Sequence, residues 1–215
     1  MQKYVSFDVD GTLVRYAFHE PVPSLFTRAL ARTFQKSEHI NSKNTKFIPK
    51  SKIGNVFKSK DDYERFTNNF DKCFYEANNK LISLPGAKDI LKRLKTYQNI
   101  TLGISTGNSK NVALEKLRRT GLNSYFNKEI FGCSFNSKKE ALSISLKNAL
   151  KFKNIHNFDK MFHIGDTVDD IVSAIDMGFV AIAVRTPKKN IVFPKSAYVF
   201  DNLEDSEIIN LITNS

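Results

Sequence analysis

Six short apolar runs, at residues 3–8, 100–105, 129–133, 161–164, 179–184 and 197–200, alternate with stretches of helical periodicity in this 215-residue chain. Strands separated by helices are joined by crossovers rather than tight turns, so the pattern predicts an α/β chain: a parallel sheet with helices on both faces. In such sheets ligands bind beyond the carboxyl ends of the strands. One long interruption, residues 15–83, carries no comparable strand pattern. Its first half holds a helical stripe over 23–36 (Leu25, Phe26, Ala29, Leu30, Phe34), and its second half a longer one over 61–81 (Tyr63, Phe66, Phe70, Cys73, Phe74, Ala77). An apolar stripe is the ordinary way a helix packs, so these aromatics are read as core. The lysine-rich stretch 39–60, with Pro49 and Gly54, reads as loop or short helix.

The first strand runs into Asp8-Val9-Asp10-Gly11-Thr12. Residues two apart in an extended segment project to one face, so Asp8 and Asp10 can point together, and Gly11 permits the turn that follows. Two such anions repel unless a cation sits between them or one holds a proton. A divalent metal resolves the conflict, and carboxylate oxygens suit Mg²⁺. Taken alone, Asp-x-Asp-Gly fits a surface turn equally well. A calcium loop fits poorly, because Leu13, Val14 and Tyr16 occupy positions where more oxygen ligands are needed.

A second acidic cluster, Gly165-Asp166-Thr167-Val168-Asp169-Asp170, follows the apolar run at 161–164 and precedes a helical stretch that ends at Gly178. Asp169 and Asp170 fall in the first turn of that helix, where acids cap it and complement its dipole. Capping does not account for Asp166, which follows a glycine at a strand end.

Taken together, the two clusters resemble the first and fourth motifs of the haloacid dehalogenase superfamily of phosphohydrolases. The second motif of that superfamily, an apolar strand ending in Thr or Ser, is matched by residues 100–108, with Thr106 as the aligned hydroxyl. Pro85-Gly86-Ala87 and the amphipathic stretch 88–97 resemble the lead-in to that strand. The third motif is a lysine with little local pattern. Spacing places it at Lys139 or Lys138, and Lys139 is taken here as the phosphate-binding lysine. The resemblance covers essentially the whole chain. By position, residues 15–83 resemble the helical cap of many members, which leaves 1–14 and 84–215 as a Rossmann-like core.

The resemblance implies a Mg²⁺-dependent phosphatase acting on a small phosphorylated metabolite. Asp8 would be the nucleophile forming an aspartyl-phosphate, and Asp10 the general acid and base. Thr106 and Lys139 would hold the phosphoryl oxygens. Asp8, the Asp10 carbonyl and Asp166 would hold the metal, with Asp170 at the metal site orienting metal-bound water. Arg15, Tyr16, His19, Lys50, Lys52 and Lys58 are cap residues by charge and position only. Three other readings use the same core: a phosphotransferase or mutase, which shares the first step; a haloacid dehalogenase, against which Asp10 speaks because a halide needs no proton; and a non-catalytic binding protein, which has no need of every acid.

Composition narrows the setting. The formal net charge is +11, with the excess spread and somewhat denser in 15–83. No block of five like charges and no basic-aromatic repeat occurs, which argues against nucleic acid and for attraction of anionic substrates. No run of about 18 apolar residues is present, so no membrane span is expected. Two cysteines and a polar start at Met1-Gln2-Lys3 are the pattern expected of a cytoplasmic protein rather than a disulfide scaffold.

Overall fold

The computed structural model describes residues 1–17, 22–34, 57, 59–185 and 191–215. Its centre is a six-stranded, all-parallel sheet in the order β5-β4-β1-β6-β7-β8. The strands are β1 (Lys3–Phe7), β4 (Ile100–Thr106), β5 (Phe131–Cys133), β6 (Lys160–Gly165), β7 (Val180–Val184) and β8 (Tyr198–Phe200). This is a Rossmann-like α/β fold, as the alternation predicts.

β1 is buried along its whole length because β4 and β6 flank it, pairing Lys3 with Ile100 and with Lys160. Its alternation divides the core. Val5 and Phe7 join one apolar cluster, while Tyr4 joins the other, stacked on Phe158 at 5.3 Å. Lys3 is buried too, and its ammonium donates to the carbonyls of Ile212 (2.9 Å) and Thr213 (2.7 Å) in the last turn of α7 (Ser206–Asn214). A cation there satisfies carbonyls that the helix leaves over and opposes its dipole.

The other helices are α3 (Ala87–Lys95), α4 (Lys110–Arg119), α5 (Lys138–Lys153) and α6 (Val168–Asp176). Side-chain caps start three of them: Ser109 for α4, Ser137 for α5, and a reciprocal capping box between Thr167 and Asp170 for α6.

Among its described residues the insertion holds two helices, α1 (Val22–Thr33) and α2 (Lys60–Ala77), packed on one another. Phe26 lies 4.9 Å from Phe70 and 5.4 Å from Phe66, and Phe135 of the β5–α5 loop closes the cluster at 5.0 Å from Phe66. The Phe135 amide also donates to the Tyr63 hydroxyl at 3.2 Å. Phe66 and Phe70 are almost fully buried, and truncating either to Ala carries a cost of about 3–5 kcal/mol.

Two strands in the insertion were not expected. β2 (Val14–Tyr16) pairs antiparallel with β3 (Leu81–Ser83), Val14 opposite Ser83. The helix read over 61–81 stops at Ala77 because Asn78 takes a left-handed conformation (φ 46°), a helix-ending geometry that Asn tolerates. The chain then turns into β3. The expected divisions after residue 14 and after residue 83 fall on this ribbon. Gln35, Lys36, residues 39–56 and 58, His19, Lys50, Lys52 and Lys58 lie outside the described residues.

Candidate active site

The ends of β1, β4, β5 and β6 bring the acidic clusters together. The amide of Asp8 donates to the Ile164 carbonyl at 2.9 Å, which extends the β1–β6 ladder to the nucleophile candidate. The chain then winds tightly: Leu13 and Val14 amides donate to the Val9 carbonyl, and the Gly11 amide to that of Val14. Gly11 has φ +85°, and a Cβ there would lie 2.3 Å from Oδ2 of Asp166. Only glycine lets the loop sit against that carboxylate. Gly165 is required on similar grounds, since a Cβ would lie 2.4 Å from the Cβ of Asp170.

Asp8, Asp166 and Asp170 are all buried, and one oxygen of each lies within 4.8 Å of the others. Lys138, at the start of α5, enters this cluster. Its ammonium is 2.6 Å from Oδ1 of Asp8, 2.7 Å from Oδ1 of Asp170, and 3.0 Å from the Ser105 carbonyl. Asp170 is further held through Oδ2, which accepts from the amide (3.0 Å) and hydroxyl (2.5 Å) of Thr167, and His163 Nε2 lies 3.7 Å from its Oδ1.

Electrostatics separates the two carboxylates that share Lys138. Burial pushes the Asp8 carboxyl up, and the nearby Asp170 and Asp10 charges add to this against the pull of Lys138. For Asp170 burial acts in the same upward sense, but Lys138 and His163 overcome it and hold the carboxyl well below its usual range. Lys138 itself is pushed down by burial and raised further by Asp170 and Asp8, so it stays charged. One ammonium facing three buried carboxylates leaves the group net negative. That donor set fits a divalent cation with oxygen ligands.

Asp10 faces elsewhere. Its Oδ1 and Oδ2 lie 2.7 and 2.8 Å from the ammonium of Lys116, and Oδ2 accepts from Asn108 Nδ2 at 2.7 Å. Asn108 Nδ2 also donates to Oγ1 of Thr106 at 2.8 Å, and its own Oδ1 accepts from Lys116 at 3.1 Å. Thr106, fully buried at the end of β4, is thereby tied to Asp10 through a single amide.

The structure thus gathers Asp8, Asp166 and Asp170 in one cluster, with Asp10 and Thr106 beside it in a second network. It does not bring Lys139 there. That side chain is more than half exposed and lies 3.6 Å from Asp176, whereas Lys138 is the lysine that reaches Asp8. The reason is helical phase. Lys138 lies on the buried stripe of α5 with Ala141, Leu142, Ser145 and Ala149, and Lys139 is a step of about 100° away. Asp170, expected at the metal, lies in the carboxylate cluster with Asp8 and Asp166, and its carboxylate is also engaged by Lys138 and Thr167.

Lys116 was not anticipated, yet the sequence held a signal. It falls on the apolar stripe of α4 with Val112, Ala113 and Leu117, a place where a lysine needs a partner. Asn108 closes the stretch that matches the second motif, and nothing in the local sequence marks its bonds to Asp10 and Thr106. Cys133, at the end of β5, is no rival nucleophile, because burial pushes its thiol up to about 12.

A family model for haloacid dehalogenase-like hydrolases matches residues 5–184, and the chain belongs to that family. Among solved structures of similar fold, a hydrolase from Pseudomonas syringae is 17% identical, with 99% of each chain covered and a TM-score of 0.63. CbbY from Rhodobacter sphaeroides, solved with phosphate, is 18% identical over 96% of each chain, with a TM-score of 0.61. A HAD-superfamily hydrolase from Ehrlichia chaffeensis is 21% identical, covering 100% of this chain and 98% of its own, with a TM-score of 0.55. No curated protein matches by sequence. Among the described residues no helix is long and apolar enough to cross a membrane.

Proposed function

We propose that this hydrolase is a Mg²⁺-dependent phosphatase that hydrolyses a small phosphorylated metabolite through an aspartyl-phosphate on Asp8. The observation that carries the reading is the Asp8 carboxylate itself. It is buried at the end of the central strand, one oxygen held by Lys138, with the Asp166 carboxylate alongside. CbbY, which shares the fold, binds phosphate in its crystal structure.

In the first half-reaction an Asp8 oxygen attacks phosphorus, the bond from phosphorus to the leaving oxygen breaks, and Asp10 gives that oxygen a proton. In the second, Asp10 takes a proton from water as the water oxygen attacks phosphorus, and the Asp8 carboxylate is released. Lys138 supplies positive charge beside the transferring group and keeps Asp8 aimed, and Thr106 offers a hydroxyl to a phosphoryl oxygen. Asp8, Asp166 and the Asp10 carbonyl would hold Mg²⁺, whose charge would offset that of the phosphoryl group. Asp170 keeps Lys138 charged and placed. The insertion, lying against the β5–α5 loop through Phe135, would exclude water from the phosphoryl group.

The test is turnover of a panel of phosphorylated metabolites with Mg²⁺ and with EDTA. Activity lost in EDTA and restored by excess Mg²⁺, with a base-labile phosphoenzyme absent from Asp8→Asn, is the expected result. Full turnover in EDTA, or by Asp8→Asn, would overturn the reading.

A further inference from the structure

Lys116 is fully buried, and no part of the mechanism above uses it. Burying an ammonium is costly unless it is paired and bonded, so its surroundings indicate what holds it. On the core side it meets both oxygens of Asp10 and Oδ1 of Asn108. On the other side two rings from the insertion cover it. Its nitrogen lies 5.2 Å from the ring centre of Tyr16 in β2 and 5.7 Å from that of Phe74 in α2. Cations are attracted to aromatic faces at this range, and more strongly where water is excluded.

The roof is fastened to the helix that carries Lys116. One turn before Phe74, the buried Asp71 accepts from the Ser109 hydroxyl and, at 2.8 Å, from Asn111 Nδ2, both at the start of α4. Farther along α4, the Arg119 guanidinium lies 5.2 Å from the Phe74 ring. Helix α2 therefore touches α4 at its start and again two turns later, with Lys116 under the second contact.

From these contacts we infer that Lys116 is a positioning residue: it fixes the direction of the Asp10 carboxylate and makes that direction depend on how Tyr16 and Phe74 sit. The inference rests on the phosphatase reading, in which Asp10 carries the proton. A carboxylate that hands a proton to one oxygen and later takes one from water must keep its aim through both steps. Oδ2, bonded by both Asn108 and Lys116, can stay held while Oδ1 takes up and gives the proton. Because Asn108 bonds Asp10 and Thr106 together, the same network sets the distance between the proton carrier and a phosphate-binding hydroxyl. No bond is made or broken at Lys116.

The experiment compares wild type, Lys116→Met, Lys116→Arg and Asp10→Asn with Mg²⁺ on two esters, p-nitrophenyl phosphate and an alkyl phosphate, by steady state and by single-turnover phosphoenzyme formation. A nitrophenolate leaves with little help from a proton, and an alkoxide does not. The expected result is that Lys116→Met slows phosphoenzyme formation on the alkyl ester about 10- to 100-fold, part of the 10²–10⁴ that a general acid supplies. KM should stay within about twofold, and the nitrophenyl ester should be much less affected. Lys116→Arg, which keeps a cation able to pair with a carboxylate, should recover part of the loss. Asp10→Asn/Lys116→Met should be no slower than Asp10→Asn alone.

An equal loss on both esters, or a double variant in which the two losses multiply, would overturn the positioning role while leaving the phosphatase reading intact. If Lys116→Met does not fold, Lys116→Arg decides, and an unchanged ratio of the two ester rates in that variant would overturn the inference. A wild-type protein inert on every ester would overturn the phosphatase reading itself, and the positioning role with it.

Discussion

Two buried lysines meet two aspartates in this molecule, and the pairs are built on opposite principles. Lys138 is shared between Asp8 and Asp170, beside a third carboxylate, Asp166. That group carries more negative than positive charge. Lys116 and Asp10 make a balanced pair with an amide on one side and two rings above. The first is a net anionic cluster, the one that the proposed reading gives to a divalent ion and a phosphoryl group, and the second is a charge-matched contact roofed by two rings of the insertion. A buried salt bridge is therefore not one kind of object. What matters is whether its charges sum to zero in place.

The largest effect is expected from Asp8→Asn, which cannot form an acyl phosphate. Turnover should fall by about 10⁴-fold or more, on the scale of losing a nucleophile, with circular dichroism unchanged; wild-type turnover would remove Asp8 from the mechanism. Next is Asp10→Asn, with an expected loss of about 10²–10⁴-fold on alkyl phosphates and far less on p-nitrophenyl phosphate. Equal slowing of phosphoenzyme formation on both would leave Asp10 with an electrostatic role only.

Lys138→Met leaves Asp8 and Asp170 buried without their cation. We expect about 3–5 kcal/mol lost in denaturant unfolding, against less than about 0.5 kcal/mol for the exposed Lys139→Ala. The reverse order would return the third-motif role to Lys139.

The smallest effect concerns pH. The folded-state pKa of Asp8 is raised, so its ionised form opposes folding at neutral pH, and that penalty disappears as pH falls through the raised value. Asp8→Asn should therefore raise Tm in EDTA at pH 7, and the gap should close as pH falls toward the ordinary carboxylate range. Asp170 works in the opposite sense. Its carboxyl is lowered, so the stability it contributes is present above its unfolded value near 3.9 and is lost below it. A gap in Tm that widens on acidification would reverse the assignment of the two carboxylates.

Much of the sheet was legible because period and position speak directly in sequence. Each apolar run at a strand site became a strand, and Asp8, Thr106 and Asp166 all fall at strand ends along one edge. What escaped was set by phase or by distant contact. Spacing does not separate Lys138 from Lys139, but helical phase does: Ala141 and Leu142 lie three and four residues after Lys138, which puts Lys138 and not its neighbour on the inward face. β3 is hidden in the sequence because Leu81 and Ile82 continue the apolar content of α2, and the two are separated by Asn78, Asn79 and Lys80, of which Asn78 is left-handed. Lys116 was missed because its partner is 106 residues away, a separation no local pattern reports. The chemistry of Asp10 was readable from its neighbours in sequence, while its orientation depends on a helix much farther along.

The β2–β3 ribbon has a consequence for the order in which the chain folds. β1 must pair with β4, Lys3 against Ile100, across an intervening segment that includes both helices of the insertion. Closing a loop of that length is slow, since its entropy is lost before the pairing returns anything. Once Val14 has met Ser83, the insertion is tied off at its base, and the path from the end of β1 to the start of β4 shortens to the ribbon, one turn and α3. The ribbon thus turns one long closure into two shorter ones. Breaking its register, as with Ile82→Pro, should slow refolding more than it speeds unfolding.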